Sequence, residues 1–277
     1  MSIWEAIILG LVQGLTEFLP ISSTAHIIIA SHLLGIHFPG LVLEIFLHIA
    51  SALAVIIYFR ADLWRIVFGS IYYLRYRSPH YRSHFYMSLY LGAATAVTGV
   101  LGLTVSKTAG EWIRSPNLMG VGLLLTAIVL IALERFHRYG NREESSITWL
   151  DSILVGIGQA IAVLPGISRS GSTLVTALFL GLERETAVRF SFLLAIPVIL
   201  GSSVLSIRHF FDGGFADFGI LPMMVSFIVS FAASLIGITW LIAFLRTSRL
   251  IYFAVYCILL GIFCLTMLSP ADVPALD

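Results

Sequence analysis

The sequence predicts an all-α polytopic membrane protein, built as an inverted-topology repeat with six transmembrane spans and two re-entrant helical hairpins. Hydrophobic residues make up 58% of the 277 residues and charged residues only 11%, whereas soluble proteins carry roughly 25% charged residues. Several apolar stretches approach the ~20 residues that a helix needs to cross a bilayer. Two longer apolar stretches are each interrupted near the middle by proline and hydroxyl residues.

Charge and cysteine content exclude several classes of protein. The formal net charge is +1, which excludes a protein that binds nucleic acid through its charge. Cys257 and Cys264 lie in one apolar stretch, two helical turns apart, so they predict neither a disulfide nor a zinc site. The chain starts without a basic region or a small-residue cleavage site, and we therefore expect no signal peptide.

Six apolar stretches are the predicted spans. They are Leu41–Phe59, Phe85–Val105, Leu118–Leu133, Phe190–Ile207, Ile220–Leu245 and Leu250–Leu268. Four connections, including the loop 69–83 and the charged loop 135–146, carry twelve of the 16 basic residues. These are Arg60, Arg65, Arg75, Arg77, Arg82, Arg135, Arg138, Arg142, Arg184, Arg189, Arg246 and Arg249. The positive-inside rule places them in the cytoplasm and both chain ends outside, with Lys107, Arg114 and Arg208 on the outer side.

That topology requires the two interrupted segments, Ile3–Leu34 and Ile147–Leu182, to return to the side they entered. Their centres contain Pro20 and Pro165, each followed by serine residues. Broken helices are tolerated at membrane depth where they are buried in protein or line a wet cavity. Two full spans in each segment would need arms longer than the ~15 residues available, so we predict re-entrant hairpins.

An internal repeat supports the same arrangement. Gly10-Leu-Val-Gln13 recurs as Gly156-Ile-Gly-Gln159, and each copy is followed by Leu-Pro, a hydroxyl-rich turn and three spans. Three spans between the copies invert the second one, which gives a single membrane domain of two inverted halves, about 1–140 and 141–277. In such architectures the binding site lies between the halves near the midplane.

Four polar side chains of the broken segments, those of Gln13, Glu17, His26 and Arg169, are candidate functional groups, because ionisable groups deep in a membrane are costly and usually functional. The second arm of each hairpin would begin near the midplane, so two helix N-termini would offer free N–H groups to an anion. Arg169 adds a planar fork suited to phosphate oxygens. The segment therefore predicts a phosphate or pyrophosphate site with acid–base or nucleophilic capacity from Glu17 and His26.

Simpler roles stay open for these residues. Ser22 and Ser172 would suit helix N-caps, and His26 could satisfy a backbone carbonyl. Glu17 and Arg169 could form a structural ion pair across the two halves. Two further residues of the first span, Glu44 and His48, lie four apart and could line the same cavity.

At these residues the sequence resembles the undecaprenyl-pyrophosphate phosphatases of the bacitracin-resistance type. The first family signature appears as QGLTEFLPISSTAH at 13–26 and the second as PGISRSGST at 165–173. Segments 43–53 and 189–197 are also similar to the family. The likeness covers nearly the whole chain apart from the loop 70–83 and the C-terminal tail.

The resemblance implies hydrolysis of undecaprenyl pyrophosphate to the monophosphate lipid carrier of cell-wall synthesis. It implies catalytic roles for Glu17, Ser23, His26 and Arg169. Substrate-binding residues by the same match are Gln13, Ser22, Thr24, Gly166, Ser168, Ser170, Gly171 and Thr173. A divalent cation, Mg²⁺ or Ca²⁺ on Glu17, is also implied. Many relatives have Glu where this chain has Gln13, so a two-carboxylate metal site is incomplete here.

The expected mechanism is attack by Ser23 assisted by His26, with water activated by His26 or Glu17 as the variant. The resemblance also implies a multi-pass protein of the bacterial plasma membrane whose site opens to the outer, periplasmic side. A transporter or flippase of a lipid phosphate is the alternative function, because transporters also use inverted repeats and broken helices. The polyprenyl lipid and membrane lipids are the expected partners, and the oligomeric state, including a homo-oligomer, is open.

Overall fold

The structure, a computed structural model, describes residues 1–36, 42–109, 115–136, 140–205, 218–247 and 249–268. Within these ranges the chain forms eleven α-helices, short 3₁₀ turns and one isolated β-bridge. The helices are α1 Ile3–Thr16, α2 Ser23–Leu33, α3 Val42–Tyr58, α4 Arg60–Tyr76, α5 Arg82–Ala109, α6 Pro116–Phe136, α7 Trp149–Ile161, α8 Arg169–Phe179, α9 Arg184–Leu205, α10 Ile220–Thr247 and α11 Ile251–Met267. Of the residues named in the predicted topology, Leu41, Arg114, Arg138, Ile207 and Arg208 lie outside the described residues.

Four described helices are long and apolar enough to cross a membrane by themselves. They comprise α5, α6, α9 and α10, and a fifth span results if α3 and α4 count as one bent element. The all-helical, polytopic class predicted from the sequence is thereby confirmed. The sixth predicted span, Leu250–Leu268, corresponds to α11, which is apolar but has only 17 residues.

The segment after Phe59 differs from the predicted loop. Arg60–Tyr76 is a 17-residue helix that bends by 73° from α3. Its arginines suggested a solvated connection, yet Arg and Leu are good helix formers, and one face of α4 packs on α5. Gly69 allows that approach, since a Cβ on it would lie 2.8 Å from the Cβ of His84. Tyr73 and Phe85 stack across the same contact with ring centroids 4.9 Å apart.

Both interrupted segments are broken where the prolines predicted. The first forms α1 and α2, of 14 and 11 residues, on either side of residues 17–22. The second forms α7 and α8, of 13 and 11 residues, on either side of residues 162–168. Proline removes a backbone donor and clashes with the preceding turn, so the chain leaves the helix at these points.

The basic connections lie together at one end of the molecule. Arg189 at the start of α9 is 3.6 Å from Asp62 of α4 and 3.3 Å from Glu144 of the connection before α7. The backbone N–H of Leu250 donates to Glu134 at the end of α6, with a distance of 3.2 Å. The four loops grouped by their charge are therefore neighbours in space.

Candidate active site

The two helix breaks meet in the interior of the protein. The Ser170 hydroxyl donates to the backbone carbonyl of Leu19 at 2.9 Å, and the Ser168 Oγ lies 3.3 Å from the same oxygen. Gly171 packs on Pro20, because a Cβ on Gly171 would lie 3.1 Å from the Pro20 Cβ. The residues between α1 and α2 thus share one site with the N-terminus of α8.

Glu17 is the centre of this site. Its side chain is almost completely buried, and its Oε2 accepts hydrogen bonds from Gln13 Nε2 at 2.7 Å and from Ser23 Oγ at 2.6 Å. Its Oε1 accepts from Nη2 of Arg169, and Nε2 of His48 lies 3.4 Å from Oε2. A buried carboxylate is tolerable only when it is paired and hydrogen-bonded, and here four side chains supply that environment.

Three of the four residues predicted to be catalytic are therefore in direct contact: Glu17, Ser23 and Arg169. The ion pair between Glu17 and Arg169 joins the two halves of the sequence, as the structural alternative anticipated. Arg169 keeps part of its side chain exposed, with 22% of its surface accessible. The guanidinium can therefore also meet a ligand that enters the cavity.

His26 satisfies a backbone carbonyl, as the simpler alternative anticipated, and does not hydrogen-bond Ser23. Its Nδ1 lies 2.7 Å from the carbonyl oxygen of Ser22, which can only accept, so Nδ1 carries the hydrogen. Its Nε2 then accepts from the Tyr256 hydroxyl of α11 at 2.7 Å, and the two rings stack with centroids 5.5 Å apart. The hydrogen bond of the Ser23 hydroxyl goes to Glu17 instead of His26. In this geometry Glu17, and not His26, accepts the hydrogen of the Ser23 hydroxyl.

Ser22 stands in a strained backbone conformation just before α2. Its φ is +67° and its ψ is +94°, and its side chain makes no capping hydrogen bond. Non-glycine residues at positive φ cost free energy and cluster at functional sites. The carbonyl of Ser22 holds His26, so this strain sets the orientation of the imidazole as well as the start of α2.

The first span contributes two further residues to the site. Thr24 Oγ1 donates to Glu44 Oε1 at 2.7 Å, and His48 Nδ1 donates to the Glu44 carbonyl at 2.6 Å. Both ring nitrogens of His48 thus face oxygen acceptors, since Nε2 faces Glu17. The four-residue spacing of Glu44 and His48 had suggested this position, which the structure confirms.

The second signature mostly supplies backbone geometry. Ser168 caps α8 by accepting from the Gly171 N–H at 3.1 Å, so the cap is Ser168 rather than Ser172. Gly166 has φ +82°, and a Cβ there would lie 2.0 Å from the Met119 carbonyl oxygen. Gly166 and Gly171 therefore allow close packing around the second break, and their part in substrate binding stays a prediction.

Thr173 and Ser170 also use their hydroxyls within the protein. Thr173 Oγ1 lies 3.2 Å from the carbonyls of Arg169 and Ser170, so it donates to its own helix. The oxygen lone pairs of both side chains remain available as acceptors. As donors to phosphate oxygens, Ser170 and Thr173 would first have to exchange these partners.

Two residues of this region were not singled out by the sequence as site residues. Tyr256 lies in an ordinary apolar helix, and only the packing of α11 against α2 reveals its contact with His26. Gln159 was noted for the repeat, and the structure places it beside Arg169 and Thr173.

Among the described residues, no group of three or more His, Cys, Asp or Glu side chains is arranged to hold a metal ion.

Comparison with known proteins agrees with the motifs. Residues 6–263 match the family model described as bacitracin resistance protein BacA. The chain is 54% identical over 264 residues to undecaprenyl-diphosphatase 2 of Halalkalibacterium halodurans, which covers 95% of each chain. It is 49% identical over 263 residues to undecaprenyl-diphosphatase 1 of Shouchella clausii, again covering 95% of each. Undecaprenyl-diphosphatase 3 of Bacillus anthracis is 39% identical over 266 residues, covering 96% of this chain and 98% of its own.

The match runs through both broken segments and all of the long apolar helices, and the residues around Glu17 and Arg169 lie inside it. A family match over nearly the whole chain, together with relatives 54% and 49% identical over 95% of its length, leaves one assignment. The chain belongs to the BacA family of bacitracin resistance proteins.

Proposed function

We propose that this protein hydrolyses undecaprenyl pyrophosphate to undecaprenyl phosphate and inorganic phosphate, and so recycles the lipid carrier of cell-wall synthesis. The relatives that it matches over nearly their full length are named undecaprenyl-diphosphatases. The structural observation that carries the proposal is the buried Glu17, which binds a serine hydroxyl and an arginine at the junction of two helix breaks. That set joins a nucleophile, a base and a phosphate-binding cation.

The same junction suits a pyrophosphate group electrostatically. Helices α2 and α8 begin there, and free N–H groups at helix N-termini attract anions. Arg169 is the first residue of α8 and presents a planar fork to phosphate oxygens. When a pyrophosphate enters, its oxygens compete with Glu17 for the guanidinium. Arg169 then stabilises the charge on the transferring phosphoryl group, which is the main demand of such reactions.

Ser23 is the nucleophile that the hydrogen bonds favour. Its Oγ attacks the terminal phosphorus while its proton passes to Glu17, 2.6 Å away. The bond from that phosphorus to the bridging oxygen breaks, and undecaprenyl phosphate leaves with the electron pair. Water then hydrolyses the phosphoserine and releases inorganic phosphate. A water molecule activated directly by Glu17 or His26 is the alternative, and it would leave no phosphoserine.

His26 acts close to this chemistry through its fixed orientation. The Ser22 carbonyl holds its Nδ1–H and the Tyr256 hydroxyl contacts its Nε2. Nε2 is therefore the nitrogen with a lone pair, but that lone pair accepts from Tyr256, so Nε2 can take a proton from water only after the Tyr256 hydroxyl has turned away. We assign His26 to the water step, and Ser22 and Tyr256 to its positioning.

We also propose that Glu17 and Gln13 bind a divalent cation. The Oε1 of Gln13 is buried and has no hydrogen-bond partner among the described residues. This oxygen is therefore available as a ligand for a cation near Glu17. Mg²⁺ is usually held by one or two carboxylates together with substrate phosphates. Glu17, Gln13 and the pyrophosphate would form that set, and the cation would neutralise phosphate charge.

We propose that the chain forms an inverted repeat with two re-entrant hairpins and six spans. At ~1.5 Å per residue, arms of 11 to 14 residues reach only about 16–21 Å, against a hydrocarbon core of ~30 Å. Helix α1 packs on α10, whereas its repeat counterpart α7 packs on α5. In each half, the first arm of the broken segment thus packs on the second long span of the other half.

Equivalent residues of the repeat also make equivalent contacts. A Cβ on Gly10 would lie 2.6 Å from the Ser226 carbonyl oxygen of α10, and one on Gly156 would lie 2.7 Å from the Ala94 carbonyl oxygen of α5. Both first arms begin with a capping box, from Ser2 in α1 and from Thr148 in α7. The sixth span is then α11, which packs along α6.

For orientation, we propose that the basic end faces the cytoplasm and that the site opens to the periplasm. The connections that carry twelve of the 16 basic residues lie at one end, and cytoplasmic loops carry the excess of Lys and Arg. A periplasmic opening would let the enzyme meet lipid pyrophosphate that wall synthesis releases outside the cell.

Release of inorganic phosphate tests the proposed function. Purified protein in detergent should release phosphate from undecaprenyl pyrophosphate and none from undecaprenyl monophosphate. The same protein in liposomes should also be tested with a fluorescent lipid pyrophosphate for movement between leaflets. Movement without phosphate release would overturn hydrolysis and support a lipid transporter.

A further inference from the structure

A small cavity lies behind Arg169, apart from the hydrogen bonds around Glu17. Its polar wall is formed by Gln159 of α7, by Arg169, Ser170 and Thr173 of α8, and by Ser191 of α9. The rest of the wall is apolar and includes the Phe18 ring. The space open to the centres of water molecules is about 20 Å³, compared with ~10–15 Å³ for one bound water.

Two of these side chains are buried and lack a hydrogen-bond partner among the described residues. Gln159 is 2% exposed, and neither its Nε2 nor its Oε1 is hydrogen-bonded; Ser191 is 8% exposed, and its Oγ is likewise unpartnered. Buried amides and hydroxyls in folded proteins are nearly always satisfied, by protein or by ordered water. Two such residues around one cavity therefore indicate a ligand that both donates and accepts hydrogen bonds.

Arg169 supplies further hydrogen-bond donors to the cavity. A guanidinium has five N–H donors, and the side-chain hydrogen bond of Arg169 found here uses Nη2 to reach Glu17. The other N–H groups need acceptors, and the same cavity is lined by Gln159 and Ser191, whose Oε1 and Oγ lack hydrogen-bond partners among the described residues. The charge of Arg169 is already matched by Glu17, so the cavity favours a neutral ligand of water size over an anion.

We propose that Gln159 and Ser191 hold one buried water molecule against Arg169, and that this water positions the guanidinium for Glu17 and for pyrophosphate. The water accepts from an Arg169 N–H and donates to Gln159 Oε1, while Ser191 completes its shell. Gln159 is then a positioning residue, acting on the reaction through Arg169. This inference rests on the proposed phosphatase function.

The two serines of α9 provide a matched pair of variants. Ser191 and Ser203 are both buried, but the Ser203 hydroxyl is already satisfied by the Ile199 carbonyl at 2.8 Å. We expect Ser191→Ala to lower kcat for phosphate release several-fold, whereas Ser203→Ala should match the wild type. Equal effects of the two substitutions would contradict the bound water.

Gln159→Leu removes both hydrogen-bonding groups and keeps most of the side-chain volume. Loss of the outer partners that orient metal ligands typically costs 10–100-fold in metal affinity or activity, and by analogy we expect kcat to fall about 10-fold here. The substrate KM and the thermal unfolding midpoint should change little. A fall in the unfolding midpoint that accounts for the lost activity would make Gln159 a purely structural residue.

A double-mutant cycle with Arg169→Lys tests whether Gln159 acts through Arg169. If it does, Gln159→Leu should have no further effect in the Arg169→Lys background, because coupled residues are non-additive. Full additivity would overturn the proposal. Phosphate release by the wild type is measured first, so failure of the proposed function itself would be seen before any variant is compared.

Discussion

At the scale of single residues, the site depends on how one buried carboxylate is satisfied. Glu17 accepts from Gln13, Ser23 and Arg169, and each donor has a different part in the proposed reaction. Ser23 is the nucleophile, Arg169 holds phosphate and Gln13 leaves one free oxygen for a cation. Because the group is buried, removal of one member disturbs the rest.

Arg169→Lys should leave the protein folded and remove most of its activity. Lysine keeps the positive charge beside Glu17 but lacks the planar fork that binds two phosphate oxygens. Loss of one donor to the transition state typically costs ~2.7–4 kcal/mol, or about 100–1000-fold in kcat. Phosphate release by the purified variant measures this effect, with Arg249→Lys, an exposed residue, as the control. Near-normal turnover of Arg169→Lys would make the ion pair with Glu17 structural.

Gln13→Glu should lower the divalent cation concentration that gives half-maximal activity. Gln13 Nε2 contacts Glu17 at 2.7 Å, so glutamate would place two carboxylates together, and hard cations prefer charged oxygen ligands. Without a cation the added negative charge would repel pyrophosphate. Titration of phosphate release with Mg²⁺ and Ca²⁺ separates the two cases. Lower activity at every cation concentration would remove the cation from Glu17.

The sequence predicted these residues better than it predicted their partners. Glu17 and Arg169 could be identified because charges are expensive in an apolar segment, and Ser23 follows Pro20 in a hydroxyl-rich turn. The pairing of Ser23 with Glu17, and of His26 with Tyr256, depends on the rotation of α2 about its axis. Ser22, whose backbone has a positive φ, stands directly before α2, and no spacing rule gives this geometry.

At the scale of helices, the site exists because two breaks approach each other and are fixed by close packing. Pro20 and Pro165 made the breaks predictable, whereas α4 was missed because its arginines resemble a loop. The second break is locked to α6 by glycines on both sides: a Cβ on Gly122 would lie 2.2 Å from the Pro165 carbonyl oxygen. The position of Arg169 follows from this contact.

Gly166→Ala should destabilise the protein and displace the start of α8. The added methyl would collide with the Met119 carbonyl, and alanine is strained at φ +82°, at a cost of about 1–3 kcal/mol for the conformation alone. Thermal unfolding in detergent measures the loss. Gly92→Ala, where the structure has nothing within 4 Å of the new Cβ, should be neutral or slightly stabilising. Equal unfolding midpoints for the two variants would show that the break does not pack on α6 as described.

At the scale of the whole molecule, the repeat predicts which ends of the helices share a side of the membrane. The basic connections are neighbours in space, and the proposed hairpins place the C-terminal end of α5 on the opposite side. Length alone identifies four to five crossing helices. The short arms and α11 acquire their places only through the pairing of the two halves.

Cysteine labelling tests that arrangement. The native Cys257 and Cys264 are fully buried, so single cysteines at exposed positions should give a clean signal. His80→Cys and Ser145→Cys should react with an impermeant reagent only from the cytoplasm, and Lys107→Cys only from outside. Labelling of all three from one side would contradict the inverted repeat.

If Glu17 is the base that drives hydrolysis of the lipid pyrophosphate, Glu17→Gln should remove most of the activity. Glutamine has the same shape and can still accept from Ser23, but it cannot take its proton. We predict that purified, folded Glu17→Gln releases phosphate from undecaprenyl pyrophosphate about 10²–10⁴-fold more slowly than the wild type, the usual contribution of a positioned base. The exposed Glu143→Gln should behave as the wild type does. Equal rates for the two variants would show that Glu17 is not the base in this reaction.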